Sequence, residues 1–166
     1  MSFREVSALI LDDNSHMRSL VRAVLKGLGV GESYEASDAA TAFELIKSSQ
    51  IDLAFVDYRL QDIDGVEFTR MIRTAPDSPD PHLPIIMVTA YSEKSRVLEA
   101  INAGIDEFLV KPIRANDVAK RIDAVVRNRR PFVRTDAFFG PDRRRRDDPK
   151  YTGPRRRHTD DQVVEM

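Results

Sequence analysis

The chain contains no cysteine and no tryptophan, and only three histidines (His16, His82, His158) among its 166 residues. Without cysteine there are no disulfides, no thiolate metal sites and no cysteine nucleophile, which suits a reducing compartment. Three scattered histidines give no basis for a zinc site built on several of them. No apolar run approaches the ~20 residues that span a bilayer. The first residues, Met1-Ser2-Phe3-Arg4-Glu5, lack the basic-then-apolar plan of a signal peptide. The expected setting is soluble and cytoplasmic. The length suits one domain of ordinary size and is too short for two full ones.

What is present is unevenly distributed. The net charge of −1 hides 15 Lys+Arg against 20 Asp+Glu in residues 1–128, and 11 against 7 in residues 129–166. Ten of the eleven basic residues in the tail are arginine, and four of the nine prolines (Pro131, Pro141, Pro149, Pro154) fall there too. Proline and like charge both oppose compact structure. The division predicted is a folded acidic domain over 1–128 and an arginine-rich extension over 129–166 that is largely disordered when free.

Within the folded part, Ser7-Ala8-Leu9-Ile10-Leu11 is too short and too apolar for anything but a buried strand. Met17, Leu20, Val21, Val24, Leu25 and Leu28 then recur at helical spacing, and Gly27, Gly29 and Gly31 end that helix. A weak strand over 33–36 follows, then a helix capped by Asp38. Residues 53–56 form a third strand with Asp57 at its carboxyl end, and 65–73 a helix. Four prolines make 76–84 a loop. Residues 85–88 are a fourth strand ending at Thr89, and Ser92 caps a helix that stops near Gly104. Residues 108–110 are a fifth strand ending at Lys111-Pro112, before a last helix marked by Val118, Ile122, Val125 and Val126. Five β–α units with continuously apolar strands predict an α/β fold, a doubly wound five-stranded parallel sheet with helices on both faces.

In such sheets the site lies beyond the carboxyl ends of the strands. Asp12 and Asp13, Asp57, Thr89 and Lys111 all stand there. Three crowded carboxylates repel one another unless positive charge sits among them. Lys111 supplies one charge, and an all-oxygen set with few protein ligands favours Mg²⁺ for the rest. A carboxylate beside Mg²⁺ can attack a phosphoryl group and form an acyl phosphate. Asp57, central in the order, is the expected nucleophile. Asp13 is the direct metal ligand, Asp12 acts through water, and the carbonyl of Arg59 is a third protein ligand. Thr89 and Lys111 would hold the phosphoryl oxygens. His16, at a helix start, and His82, in a loop, read as bystanders.

Asp12-Asp13, Asp57, Thr89-Ala90 and Lys111-Pro112, in this order and spacing, resemble the receiver domain of bacterial two-component response regulators. Asp64-Gly65 and Ala103-Gly104-Ile105-Asp106-Glu107-Phe108-Leu109-Val110 support the match, which covers roughly residues 5–127. The resemblance implies a CheY-like (flavodoxin-like) fold, Mg²⁺-dependent phosphorylation of Asp57 by a sensor histidine kinase, and a switch made of Thr89 and Phe108. It implies a downstream protein target on the last two helices and strand five. Gln61 departs from the family, where proline is common, and would loosen the loop after Asp57. No helix-turn-helix or appended enzyme is expected after the receiver, so specific DNA binding is not. A phosphate shuttle to a histidine phosphotransfer protein stays open. The rival from another class is an Asp-nucleophile phosphohydrolase. Those enzymes usually carry an acid two residues after the nucleophile, and here that residue is Arg59.

The tail repeats itself. Phe138-Phe139-Gly140-Pro141-Asp142-Arg143-Arg144 aligns with Tyr151-Thr152-Gly153-Pro154-Arg155-Arg156-Arg157 as aromatic-x-Gly-Pro-x-Arg-Arg. Each Gly-Pro is expected to turn the chain and bring the ring toward the arginines. Arginine pairs bidentately with phosphates and guanine edges, and aromatic rings add stacking surface. The extension resembles those of some CheY-like regulators, among which cyclic di-GMP binding is known. Arg144-x-x-Asp147 and Arg145-x-x-Asp148 are similar to an Arg-x-x-Asp pattern that holds this nucleotide. Arg143, Arg144, Arg145, Tyr151, Arg156 and Arg157 are the candidate contacts. A polybasic tail without a specific ligand, a guanine-nucleotide or acidic-protein dock, and nonspecific nucleic-acid binding stand side by side. The interspersed Asp142, Asp147, Asp148, Asp160 and Asp161 weigh against the last.

Overall fold

The computed structural model describes residues 3–90 and 95–143, and the backbone of 162–164. Ser7–Leu11 (β1), Glu32–Ala36 (β2), Leu53–Asp57 (β3), Ile85–Thr89 (β4) and Glu107–Val110 (β5) form one parallel sheet in the order β2-β1-β3-β4-β5. Between and after them run Ser15–Gly27 (α1), Ala39–Ser48 (α2), Gly65–Thr74 (α3), Val97–Ala103 (α4) and Ala115–Arg127 (α5). The helix starts follow ordinary capping chemistry. Asn14, Asp38 and Asp64 accept from the backbone N–H groups of the first turns of α1, α2 and α3. Gly104 closes α4 in the left-handed region at φ 111°. The expected cap Ser92 lies outside the described residues, and α4 begins after Arg96.

β3 and β4 are buried along their whole length, because helices cover both faces. One core, with Leu9, Leu11, Val56, Phe68, Ile72 and Met87, lies under α2, α3 and α4. The other, with Ile10, Leu25, Phe55, Val88, Ile122 and Val125, lies under α1 and α5. Alternation along each strand splits its side chains between the two. No helix among the described residues is long and apolar enough to cross a membrane.

Residues 129–143 correct the expectation of disorder. Phe132–Arg134 (β6) pairs antiparallel with Phe139–Pro141 (β7), and Gln162–Val164 (β8) pairs with the other edge of β6. Gly140-Pro141, expected to turn, lies in a strand. The reversal is at residues 135–138, where Thr135 and Phe138 exchange backbone hydrogen bonds. β7 is an edge strand, where proline is tolerated. The hairpin packs across the end of the sheet opposite Asp57. A Cβ on Gly140 would stand 2.9 Å from the Cα of Gly104, so the glycine is required for this approach. Phe132, Val133 and Phe139 are buried.

The arginines of this segment are not merely solvated. Asp106, buried just before β5, accepts from Arg73 Nη2 (3.1 Å), Arg129 Nε (2.8 Å) and the Ile85 N–H (2.9 Å). Arg73 also donates to the carbonyls of Gly104 and Pro81, both at 2.9 Å. Burial pulls the Arg73 guanidinium down to about 10, which Asp106 opposes. Arg130 donates to the Asp106 and Asp142 carbonyls. The Phe132 ring lies under both guanidinium groups, 4.9 Å from Arg73 and 4.3 Å from Arg129. Counting tail charge against tail proline missed this because the balancing carboxylate is over twenty residues away.

His82 stands in the expected loop, but its ring stacks on Phe132 (4.9 Å between centroids) and meets Phe139 edge-on (5.2 Å). Its Nε2 is buried and has no hydrogen-bond partner among the described residues. Burial pushes the imidazole pKa down; Arg129, Arg73 and Arg134 push the same way and Asp80 opposes them. A base with a lowered folded-state pKa binds fewer protons folded than unfolded. Its contribution is therefore present above the ordinary value of about 6.5 and lost as pH falls below it. Amide exchange over residues 132–141 is expected to accelerate as pH falls from about 6.5 to 5, after correction for intrinsic rates. A His82→Phe variant should lose that dependence while keeping the hairpin.

Candidate functional site

β1 and β3 are neighbours, so Asp12, after β1, and Asp57, ending β3, meet at one rim. Asp13 joins them, and one carboxylate oxygen from each lies within 4.8 Å of the others. Asp12 and Asp57 are buried and Asp13 is half-buried. The Lys111 ammonium stands 3.0 Å from Asp57 Oδ1. The Lys111 N–H donates to the Thr89 carbonyl (2.8 Å), which ties the ends of β4 and β5 together; the Lys111–Pro112 peptide is cis. Thr89 is 1% exposed, and its hydroxyl is buried with no partner among the described residues.

Burial pushes the Asp12 carboxyl up to about 6, and repulsion from Asp57 and Asp13 adds to this, while the Asn14 N–H and Lys111 oppose it. One lysine does not balance three acids, so the donor set fits a hard cation. One carboxylate oxygen from each acid converges within 4.8 Å of the others, so a single ion could take up all three. Asp12, Asp13 and Asp57 are the side chains able to hold such an ion. Arg59, whose carbonyl was the fourth candidate, follows directly in the β3–α3 loop and its side chain is exposed.

Two residues that sequence reading passed over brace the acidic turn. The Asn14 N–H donates to Asp12 Oδ1 (2.9 Å), and Arg18 Nη1 donates to the Asp12 carbonyl (2.6 Å). Asn14 was detectable as a favourable cap residue before a helical pattern. Nothing local marks Arg18, which also pairs with Glu35 on β2 at 3.4 Å. Gly65 was legible as a helix start and as part of the Asp64-Gly65 segment, but not for its packing. A Cβ there would stand 2.5 Å from the Asp57 carbonyl, so glycine lets α3 begin directly beneath the site. Phe108 is half-buried on β5, opposite Met87 and packed against the core under α3 and α4.

Of the tail candidates, Arg143 donates to Asn102 Oδ1 on α4, and its guanidinium lies over the Phe138 ring at 4.6 Å. Arg144, Arg145, Tyr151, Arg156 and Arg157 lie outside the described residues.

The family model for the response regulator receiver domain matches residues 8–123. This chain belongs to that family. It is 31% identical over 122 residues to chemotaxis protein CheY-3 of Vibrio cholerae, covering 74% of this chain and 92% of that protein. It is 32% identical over 117 residues to chemotaxis protein CheY of Pseudomonas aeruginosa, covering 70% and 93%. Among solved structures, Vibrio cholerae CheY4 superposes with a TM-score of 0.65 at 25% identity, over 73% of this chain and 98% of that one. The receiver domain of a Pseudomonas aeruginosa sensor histidine kinase, solved with magnesium coordinated in its active-site cleft, gives 0.61 at 25% identity, over 71% and 94%. The fold is the CheY-like receiver fold, and the chain is a CheY-like response regulator receiver.

The raised Asp12 pKa has a measurable consequence. Between the ordinary 3.8 and about 6, the folded state holds a proton that the unfolded state has released, so Asp12 lowers metal-free stability as pH rises through that window. A cation bound at these carboxylates would reverse the preference. Mg²⁺ affinity is expected to weaken as pH falls through about 6, with proton release on binding near that pH. Calorimetry in buffers of different ionisation enthalpy measures both. Asp12→Asn should melt higher without Mg²⁺ and lose this proton release.

Proposed function

We propose that the chain is a phosphorylation-operated signalling switch in which Asp57 is the phosphoacceptor. The observation that carries this is the buried Thr89 hydroxyl at the end of β4, without a partner among the described residues, on the same rim as the Asp57–Lys111 pair. An orphaned buried hydroxyl costs free energy unless something fills the gap, and a phosphoryl oxygen on Asp57 would. An Asp57 carboxylate oxygen attacks the phosphorus of a phosphohistidine on a sensor kinase or histidine phosphotransfer protein. The P–N bond breaks and the imidazole leaves. Asp13, Asp57 and the Arg59 carbonyl, with Asp12 assisting through water, would hold Mg²⁺, which would supply charge neutralisation. Thr89 and Lys111 hold the new oxygens. Thr89 moves toward the phosphoryl group, and Phe108 turns into the space released. The face of α4, β5 and α5 is thereby altered for a cytoplasmic protein target.

In this reading residues 1–128 are the receiver and 129–166 an accessory segment, and the only chemistry is self-phosphorylation and dephosphorylation. Arg59, two residues past Asp57, is too weak an acid to protonate a leaving group, which disfavours a phosphohydrolase. A shuttle role would use the same site without the Phe108 switch. Backbone amide spectra with and without a beryllofluoride mimic separate the two. Shifts spread over residues 89–110 are expected. Shifts confined to Asp12, Asp13 and Asp57 would overturn the switch and leave the shuttle.

The ring-on-guanidinium contact of Phe138 and Arg143 favours a second reading, in which the tail binds cyclic di-GMP. Arginines 143, 144, 145, 156 and 157 with Tyr151 would contact phosphates and guanines. Calorimetric titration of the full chain with cyclic di-GMP, GTP as control, should show micromolar binding that is lost when Arg156 and Arg157 are both replaced by alanine. Equal binding of both nucleotides only at low salt would leave a merely polybasic tail.

A further inference from the structure

The loop between β3 and α3 carries the Arg59 carbonyl, and this sequence has Gln61 where proline often stiffens that loop. The loop is nevertheless held. Its ends are closed by the Gly65 N–H donating to the Tyr58 carbonyl (2.8 Å) and by Asp64 capping α3 through the Glu67 N–H (2.7 Å). Leu60 and Ile63 rest on the core. Between them Asp62 reaches across to another element, where its Oδ2 accepts from the Ala39 N–H, the first of α2, at 3.2 Å. The helix has its own cap for a different donor, since Asp38 Oδ1 accepts from the Thr41 N–H at 2.8 Å. Asp62 is therefore not needed to start α2. A carboxylate at a helix N-terminus is held both by the hydrogen bond and by the positive end of the helix dipole, so this contact ties the middle of the loop to a rigid element.

We propose that Asp62 is a positioning residue for the cation site, anchoring the β3–α3 loop, and with it the Arg59 carbonyl, to the N-terminus of α2. The proposal rests on the reading of Asp12, Asp13, Asp57 and Arg59 as the cation site. Asp62 touches neither the cation nor the phosphoryl group; it limits the freedom of a ligand three residues away. Groups that orient a metal ligand typically change affinity by 10–100-fold when removed. Asp62 acts through the loop rather than on the ligand atom itself, so roughly five- to ten-fold is expected.

Calorimetric Mg²⁺ titration of the full chain tests it, with five variants besides wild type. Asp62→Ala should raise the dissociation constant by that factor and slow labelling by acetyl phosphate. Asp62→Asn, whose amide oxygen can still accept from Ala39, should stay near wild type, and Gln61→Pro placed in the Asp62→Ala background should recover most of the affinity. Asp38→Ala removes the other carboxylate from the start of α2 and should lower the melting temperature at least as much, yet leave the dissociation constant within two-fold. A merely structural Asp62 would make the two alanine variants equal. Equal effects, or an unchanged constant for Asp62→Ala, overturn the proposal. Asp13→Ala is measured alongside. If it too leaves Mg²⁺ binding unchanged, the reading of the site has failed and the proposal falls with it; if it weakens binding while Asp62→Ala does not, only the proposal has failed.

Discussion

An Asp57→Asn variant incubated with acetyl phosphate and Mg²⁺ is expected to gain no base-labile phosphoryl group, where the wild-type chain gains one. The carboxylate oxygen is the nucleophile in our reading, and an amide oxygen is far too weak a nucleophile to replace it. The loss should be essentially complete, because no other acid of the site has the same surroundings. Asp57 is paired with Lys111 at 3.0 Å, Asp13 is half-buried at the rim, and burial pushes the Asp12 carboxyl up to about 6. Mass spectrometry of intact protein before and after alkali reads the result. The variant also removes one of three crowded carboxylates, so it should melt no lower than wild type without Mg²⁺. That separates lost chemistry from lost folding. Labelling equal to wild type would move the nucleophile to Asp12 or Asp13.

The second large effect is on stability. Asp106→Ala is expected to cost about 3–5 kcal/mol, since removing one partner of a buried charge cluster strands the others. Arg73 has no exposed side-chain surface and Arg129 little, and both would keep their charge beside Phe132. The Ile85 N–H at the start of β4 would lose its acceptor as well. In a domain of this size the loss corresponds to a melting temperature lower by roughly 10 °C. Because Asp106 is where the receiver meets the hairpin, amide exchange over residues 132–141 should rise in the variant even below the melting transition. A shift within a degree or two would mean that water replaces the carboxylate and that the arginine network adds little.

These two residues show different kinds of legibility. Asp57 was readable because it follows an apolar run four residues long, and Asp12, Asp13, Thr89 and Lys111 stand at the ends of other such runs. Periodicity gave the strands, the parallel order followed from the alternation with helices, and the parallel order put all the strand ends on one rim. The five-stranded sheet and its helices follow that reading closely, except that α4 begins at Val97, about four residues later than a cap at Ser92 would place it. Asp106 was visible only as part of a motif. Its partners Arg73 and Arg129 lie 33 and 23 positions away, and no local pattern records a contact over that distance.

The tail marks the limit most clearly. Proline content and arginine runs describe how a segment behaves alone, and by that measure 129–166 should not fold. Phe132, Val133 and Phe139 fold because α3, α4 and the loop at His82 offer them a surface, and Gly140 fits because Gly104 is opposite. The amino-acid sequence by itself determined the α/β class, the receiver family and the set of acids, hydroxyl and lysine at the strand ends, since each is carried by short-range pattern and topology. Only the tertiary structure decided which arginines are buried, that the chain after α5 turns back as a hairpin, and that Asp62 reaches α2. Those depend on surfaces that exist only once residues far apart in the chain have been brought together.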